Sequence, residues 1–237
     1  MPARRVFASF ILFAGCLKAQ DFEAGITVLN DKDRVLKIDA DRPLDVAASL
    51  LAQDYQIDIN AEDPPFACPD DVIDKRASRK NPLAADHFYL PRGSRLEVHF
   101  SVDKHHRPLD SLTLLDQIVA EYNRTSLFRY RLQRNMGDAY SFVPVEARDK
   151  NCRPVKITAL LDHRISIPKE SRGIYETIRE FDSALSRAAG EQTTTNTQTW
   201  MNRIPDTVVS MEAHEGRARD LLLSILRATH YTIGFIG

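Results

Sequence analysis

The tetrapeptide Arg-Pro-Leu-Asp occurs twice in this chain, at residues 42–45 and 107–110. The first copy follows a short apolar-rich run and the second follows alternating apolar residues, both typical of strands, and each copy precedes apolar residues at helical spacing. Pro is favoured at the first helical position, because its fixed φ suits a helix and its missing N–H needs no partner there. Asp45 and Asp110 would then lie in a first helical turn, where the helix dipole favours a carboxylate. The repeat therefore predicts two helix starts in a duplicated fold unit rather than a pair of catalytic acids.

Strand-like and helix-like patterns alternate around both copies. The first helical face consists of Leu44, Ala47, Ala48, Leu51 and Tyr55, and alternating Ile57 and Ile59 follow it. The second consists of Leu109, Leu112, Leu115, Val119 and Tyr122. Alternating residues flank this second helix, at Val98, Phe100 and Val102 before it and at Phe128, Tyr130 and Leu132 after it. These patterns predict two β-α-β units, the second of which is extended by a returning strand.

The C-terminal half carries two weaker copies of the same pattern. A third predicted helix ends at Gly190, a residue type that commonly terminates helices. Residues 217–220, Arg-Ala-Arg-Asp, occupy the place of Arg-Pro-Leu-Asp before a fourth predicted helix, and a last strand is predicted from Tyr231.

We therefore expect an α+β fold of tandem small β-α-β repeat modules, each with two helices packed on a small mixed sheet. The first module is expected at residues 34–146, with an insertion rich in Pro and charge at 61–95. The second, weaker module is expected at residues 155–237.

Residues 1–19 are expected to be an export signal peptide. Two arginines precede an apolar core, residues 6–15, which is too short to cross a bilayer. Cleavage after Ala19 is the first expectation, and it predicts a periplasmic or extracellular protein. The alternative is a lipid anchor on Cys16, because the sequence Phe-Ala-Gly-Cys resembles a bacterial lipoprotein box.

Charge and hydropathy argue against two classes of partner. The chain has 32 basic and 33 acidic residues, and loss of the signal removes three basic residues and no acidic one. Such a balance predicts no nucleic-acid partner. After the signal no run reaches about eighteen apolar residues, so no transmembrane segment is expected there.

Two cysteines, Cys68 and Cys152, follow the signal. In an oxidising compartment such a pair predicts one disulfide bond, and the alternative is two unconnected thiols.

The polar residues form no recognisable catalytic or metal motif. His105 and His106 are adjacent, so their side chains diverge, and no third ligand is spaced nearby. His214 lacks the i, i+4 partner of a helical zinc site. The sequence has no G-x-S-x-G elbow, Gly-rich phosphate loop or C-x-x-C pair. We therefore predict no catalytic residues, no cofactor and no metal.

Three stretches together carry a family resemblance: VLKIDADRPLDVAASLLAQDYQIDI, LEVHFSVD and RPLDSLTLLDQIVAEY. They resemble the short N-terminal domain of bacterial secretins and TonB-dependent receptors over residues 35–145, and residues 157–237 resemble it more weakly. The resemblance implies a tandem, free-standing pair of such domains, in which strand, helix and strand are repeated about a pseudo-twofold. Domains of this family bind other envelope proteins. The implied function is a non-catalytic interaction module, accessory to a secretion or outer-membrane receptor system.

Arg129, Tyr130 and Arg131 are the residues predicted to contact an envelope partner. They lie on a strand, and strand edges accept strands from other proteins. The alternative is that the charges only protect an exposed sheet edge. Two other classes of function remain open from the sequence, a periplasmic hydrolase of unknown type and a small-ligand sensor using the cleft between the modules.

Overall fold

The computed structural model describes residues 24–74, 89–190 and 208–228. Within these ranges the chain forms eleven strands and four helices, which confirms the predicted α+β class. The strands are β1 Ala24–Val28, β2 Asp33–Ala40, β3 Ile59–Ala61, β4 Val72–Asp74, β5 Tyr89–Pro91, β6 Ser94–Ser101, β7 Arg129–Arg134, β8 Tyr140–Arg148, β9 Pro154–Lys156, β10 Arg164–Gly173 and β11 Val208–Arg217. The helices are α1 Pro43–Tyr55, α2 Ser111–Thr125, α3 Ile174–Ala189 and α4 Ala218–Ala228.

The N-terminal half has two small sheets that share one core, where one mixed sheet was predicted. One sheet is antiparallel in the order β1, β2, β6, and the other has the order β3, β8, β7, with β3 parallel to β8. α1 packs on β2 and β3, and α2 packs on β6 and β7, so each helix contacts both sheets. The core includes Leu36, Ile38, Leu44, Leu51, Leu96, Val98, Leu114, Leu115, Ile118 and Phe142. The alternation predicted for these strands points one side of each toward this core.

The two Arg-Pro-Leu-Asp copies start their helices differently. α1 begins at Pro43 and holds Asp45 in its first turn, as predicted. α2 begins at Ser111, just past the second copy, and Asp110 is its N-cap. The Asp110 carboxylate accepts hydrogen bonds from two backbone N–H groups of the first turn at 3.0 and 3.2 Å. The predicted Pro start is wrong for this copy, because a carboxylate cap satisfies N–H groups that the helix itself cannot.

The later start also changes the apolar face of α2. Leu109 and Leu112, predicted to be buried, are 68% and 46% exposed. The buried face consists of Leu114, Leu115, Ile118, Val119 and Tyr122, three of which were predicted.

The C-terminal half is built on the antiparallel ribbon of β10 and β11, against which α3 and α4 pack. Its core includes Leu161, Ile165, Ile167, Ile178, Phe181, Leu185, Leu222 and Ile225. Gly190 ends α3 with a φ of 73°, the left-handed conformation that glycine adopts readily. α4 begins within residues 217–220 and holds Asp220 in its first turn. The strand predicted from Tyr231 lies outside the described residues.

Four strands, β1, β4, β5 and β9, were not indicated by the sequence. β1 pairs with β2, and β9 pairs back onto β8, so the β8–β9 pairing spans the residues between the two predicted modules. The predicted insertion at 61–95 contributes a short hairpin of β4 and β5, and its residues 75–88 lie outside the described ranges.

A disulfide joins Cys68 to Cys152, which confirms the predicted pair. In the ranges described, no helix is long and apolar enough to span a membrane. The predicted signal peptide, including Cys16, lies outside these ranges.

Candidate functional site

The three residues predicted to contact a partner lie on β7 in three different environments. Arg129 is exposed, and its guanidinium donates to the carbonyl oxygen of Ser126 at 2.6 Å. Tyr130 is buried in the core. Arg131 forms an ion pair of 2.6 Å with Asp162 of the C-terminal half. The side chains of this strand are therefore largely engaged within the molecule.

The side chain of Asn123 in α2 occupies the main-chain hydrogen-bonding groups of β7 at Tyr130. The Asn123 side chain donates to the Tyr130 carbonyl oxygen and accepts from the Tyr130 N–H, both at 2.8 Å. The Tyr130 ring packs edge-on against Tyr122, and its hydroxyl donates to the Glu62 carbonyl oxygen at 2.9 Å. Burial raises the pKa of Tyr130 well above its usual value. A partner strand at this point would have to displace Asn123.

Arg219 in α4 is a buried charge that joins the two halves of the chain. It is 1% exposed, and its guanidinium donates to the carboxylates of Glu62 and Asp162, the latter at 3.2 Å. Burial lowers the pKa of Arg219 to about 10, because desolvation disfavours the charged form. The guanidinium is thus still charged at neutral pH, and two carboxylates compensate it.

The sequence patterns did not select Arg219, although they contained a signal for it. Arg219 stands third in residues 217–220, where the first Arg-Pro-Leu-Asp copy has the core residue Leu44. A charged residue at a core position of a helix start indicates a buried ion pair, since an unpaired buried charge is very costly. Its partner could not be found the same way, because Glu62 lies 157 positions earlier.

Arg148, at the end of β8, holds the insertion beside the disulfide. Its Nη2 atom lies 2.6 Å from Oδ1 of the buried Asp71 and 2.9 Å from Sγ of Cys68. The Asp70 carboxylate and the sulfurs of Cys68 and Cys152 lie within 4.8 Å of one another. This group is not a metal site, because both sulfurs are bonded in the disulfide and thiolates are the metal ligands.

The two acids of the tetrapeptides lie at separate places and have opposite pKa shifts. Burial, followed by the negative charge of Asp63, raises the pKa of Asp45. The enclosed space beside Asp45 and Asp63 has a volume of about 20 Å³, which is room for about one water. Hydrogen bonds from the Thr113 hydroxyl and backbone lower the pKa of Asp110. The structure therefore brings no pair of these acids together as acid and base.

The three histidines considered from the sequence also lie apart. His105 and His106 follow β6 on an exposed turn, and Nδ1 of His106 lies 3.1 Å from Nη2 of Arg34. His214 lies on β11, with its Nε2 3.4 Å from Glu212. In the described part of the chain, none of them groups with two other metal-binding side chains.

The outer edge of β6 has no strand partner within the described residues. Near its two ends, Arg95 and Ser101 turn their carbonyl oxygens outward, where they accept hydrogen bonds at 3.4 and 3.1 Å from α2 and the turn before it. Strand residues two apart face the same way, so the main-chain groups of Glu97 and His99 also face outward.

α2 runs beside this open edge and forms a groove with it. The groove has a volume of about 210 Å³ and is lined by the end of β6 and by Asp110, Thr113 and Gln117. Leu109, at the rim, offers an exposed apolar contact. This arrangement presents main-chain hydrogen-bonding groups and a side-chain groove together.

Comparisons of the chain with models of protein families, with curated proteins and with solved structures give no match.

Proposed function

We propose that this chain is a non-catalytic protein–protein interaction module of the bacterial envelope, accessory to a secretion or outer-membrane receptor system. Its partner is an extended segment of another envelope protein, which adds to β6 as a further strand. The open edge of β6 beside the α2 groove carries this proposal. In strand addition, main-chain hydrogen bonds supply affinity, and pockets for alternate side chains supply specificity.

The side chains around β6 indicate the chemistry of the partner strand. On the outer face of the sheet, Lys37 pairs with Glu97 at 3.6 Å and Arg95 pairs with Asp39 at 2.7 Å, so the charges are balanced. On the helix side, the exposed Leu109 borders the groove. The partner strand is therefore one that alternates apolar residues, facing α2, with uncharged polar residues on the outer face.

β6 is a better docking edge than β7, which the sequence favoured. The edge of β7 is already satisfied at Tyr130 by Asn123, and Arg131 is paired with Asp162. Strand addition there would break these contacts first, whereas His99 lines the groove at the edge of β6, and that edge has no strand partner in the described residues. We therefore place the docking site at residues 97–99.

The proposal includes two tandem modules in an exported protein. Each helix comes next after a strand, in the order β2–α1, β6–α2, β10–α3 and β11–α4. This order, together with the related tetrapeptides at three helix starts, supports a duplicated module. The disulfide supports an oxidising compartment, reached by cleavage after Ala19 or by lipidation of Cys16.

Site-specific photocrosslinking in the native cell tests the docking edge. A photoreactive residue in place of His99 is expected to give an adduct with an envelope protein. The same residue at the exposed Ala188 of α3 is the control and is expected to give none. Absence of an adduct from position 99, together with substrate turnover by the purified protein in a hydrolase screen, would overturn the proposal.

A pair of variants at Glu97 tests strand addition itself. Glu97→Pro removes one outward N–H, a change that edge strands tolerate, whereas Glu97→Val keeps it. With a crosslinker at position 99, the Pro variant is expected to reduce the adduct about fivefold and the Val variant to retain it. Thermal unfolding checks that both variants are folded. An undiminished adduct in a folded Pro variant would exclude main-chain pairing at this edge.

A further inference from the structure

The two cysteines of the disulfide are unequally exposed to solvent. Cys68 is 0% exposed, whereas Cys152 is partly exposed in the turn after β8. In thiol–disulfide exchange, a thiolate attacks one sulfur of a disulfide and the other sulfur leaves as a thiolate. Because solvent meets the bond on the side of Cys152, a thiol that arrives from solvent attacks the sulfur of that residue.

The charged groups nearest the two sulfurs also differ. The Nη2 atom of Arg148 lies 2.9 Å from Sγ of Cys68, and a guanidinium at this distance stabilises a thiolate. The same Nη2 atom lies 2.6 Å from the carboxylate of Asp71, and its two hydrogens serve both acceptors. A carboxylate oxygen of Asp70 lies 3.9 Å from Sγ of Cys152, where it disfavours a thiolate. The sulfur that is more stable as a thiolate leaves faster, so Cys68 is the leaving group.

Contacts other than the disulfide fix the position of Cys68. Its carbonyl oxygen accepts a hydrogen bond from the backbone N–H of Asp71 at 3.0 Å, and Asp71 is paired with Arg148. The Nε atom of Arg92 donates to the carbonyl oxygen of Asp70 at 2.8 Å. A thiolate formed at Cys68 therefore stays beside Arg148, near the turn that carries Cys152. From there it attacks a mixed disulfide on Cys152 and restores the original bond.

We propose that Cys152 is a site of reversible S-thiolation by small thiols. The incoming thiol loses its proton to solvent, and its thiolate attacks Sγ of Cys152. A new S–S bond forms, the bond between the two cysteine sulfurs breaks, and its electron pair leaves with Cys68 as a thiolate beside Arg148. One disulfide replaces another, so the thiol is the only co-reactant. The modification releases the covalent link between the insertion and the turn after β8, and it does not depend on strand addition at β6.

Brief treatment of the oxidised full chain with 2-mercaptoethanol tests the site. Acid quenching, alkylation of free thiols under denaturing conditions and peptide mass mapping then separate Cys152 from Cys68 and from Cys16. The mixed disulfide on Cys152, with the alkyl group on Cys68, is expected in at least about fivefold excess over the reverse arrangement. In urea both sulfurs meet solvent, so the unfolded chain is expected to give comparable amounts of the two arrangements.

Asp70→Asn provides the matched variant, because it removes the charge beside the attacked sulfur and keeps the size of the side chain. The thiolate is an anion, so it is expected to attack this variant about two- to fivefold faster than the unmodified chain. Asp116→Asn on the exposed side of α2 removes a charge elsewhere and is expected to leave the rate unchanged. After removal of the thiol by gel filtration, the bond between Cys68 and Cys152 is expected to return.

Four results would overturn the proposal. In the first, the adduct forms mainly on Cys68 or equally on both cysteines of the folded chain. In the second, the folded chain forms no adduct under conditions in which the unfolded chain reacts, which makes the disulfide closed to thiols. In the third, Asp70→Asn reacts no faster than Asp116→Asn. In the fourth, the original bond does not return after the thiol is removed.

Discussion

Arg219 shows how much of this fold depends on single buried polar side chains. A buried ion pair adds little net stability over a well-packed apolar contact. Loss of one partner, however, leaves the other charge unpaired in a poorly hydrated site. Glu62 is 7% exposed, and among the described residues its carboxylate is bonded to Arg219 through one oxygen, while the other oxygen is unpaired. The stability of the contact between α4 and the N-terminal half therefore depends on that guanidinium.

Arg219→Met is expected to lower the free energy of unfolding by about 3–5 kcal/mol, because it leaves the Glu62 charge buried without its cation. Urea unfolding followed by circular dichroism measures this change. Addition of Glu62→Gln to the variant is expected to recover part of the lost free energy of unfolding, because the unpaired charge of Glu62 is then removed.

Arg187→Met is the control for that measurement. Arg187 pairs with Glu180 at 3.5 Å on the exposed side of α3, and such pairs contribute about 0–1 kcal/mol. A loss below about 1 kcal/mol for Arg219→Met, or equal losses for the two variants, would contradict the role given to the buried pair.

The helix starts show how one tetrapeptide produces two different local structures. In the first copy Asp45 is half-buried in a helical turn near Asp63, and in the second Asp110 is an exposed N-cap. The pKa of Asp45 is raised and that of Asp110 is lowered. The two acids should therefore change the stability of the protein with pH in opposite directions.

Asp110→Ala is expected to lower the unfolding temperature at pH 7, because α2 loses its side-chain cap. A depressed pKa means that the ionised cap stabilises the fold above the unfolded-state pKa of about 3.9, and that this stability is lost as pH falls through the folded-state pKa. The difference between variant and unmodified protein should thus shrink in acid. Thermal unfolding from pH 7 to pH 3 measures it. Asp110→Ser should retain most of the stability, and a pH-independent loss in the Ala variant would be inconsistent with a charged cap.

Asp45→Asn is expected to show the opposite dependence. A raised pKa means that the folded protein loses stability as pH rises through that pKa, since the buried carboxyl must then ionise beside Asp63. The Asn variant lacks this loss, so its unfolding temperature relative to the unmodified protein should rise from pH 3 to pH 7. The same thermal series records both variants. A relative stability that falls with pH would show that Asp45 is stabilising as an anion.

The sequence predicts elements well where one pattern dominates and poorly where two compete. Apolar residues recur about every four residues in α1 and every two residues in β6. Both elements were predicted with the correct buried faces. The start of α2 was misplaced because Pro108 and Asp110 both signal a helix start, and the Asp110 carboxylate cap prevails. The second sheet and the Arg219 site depend on contacts between distant segments, which a local period does not encode.

At the scale of the whole molecule, irregular segments are fixed by a few long-range contacts. The Cys68–Cys152 disulfide spans 84 positions and fastens the insertion to the turn after β8. Beside it, Arg148 pairs with the buried Asp71, so covalent and ionic contacts hold the same segment. Two ion pairs then connect the halves, Arg131 with Asp162 and Arg219 with Glu62. The loops are therefore structural parts of the fold as well as connections between its elements.

The double variant Cys68→Ala, Cys152→Ala is expected to lower the free energy of unfolding by about 2–5 kcal/mol, because the open loop gives the unfolded chain more conformational freedom. A loop of this length corresponds to about 4–5 kcal/mol of chain entropy, and native strain reduces that figure. Urea unfolding of the variant should match that of the reduced unmodified protein, with a steeper denaturant dependence, since an uncrosslinked chain exposes more surface. Because Arg148 and Asp71 hold the insertion independently of the sulfurs, the variant should still fold in a single transition. If the insertion instead unfolds separately at low urea, the disulfide rather than the ion pair fixes that segment.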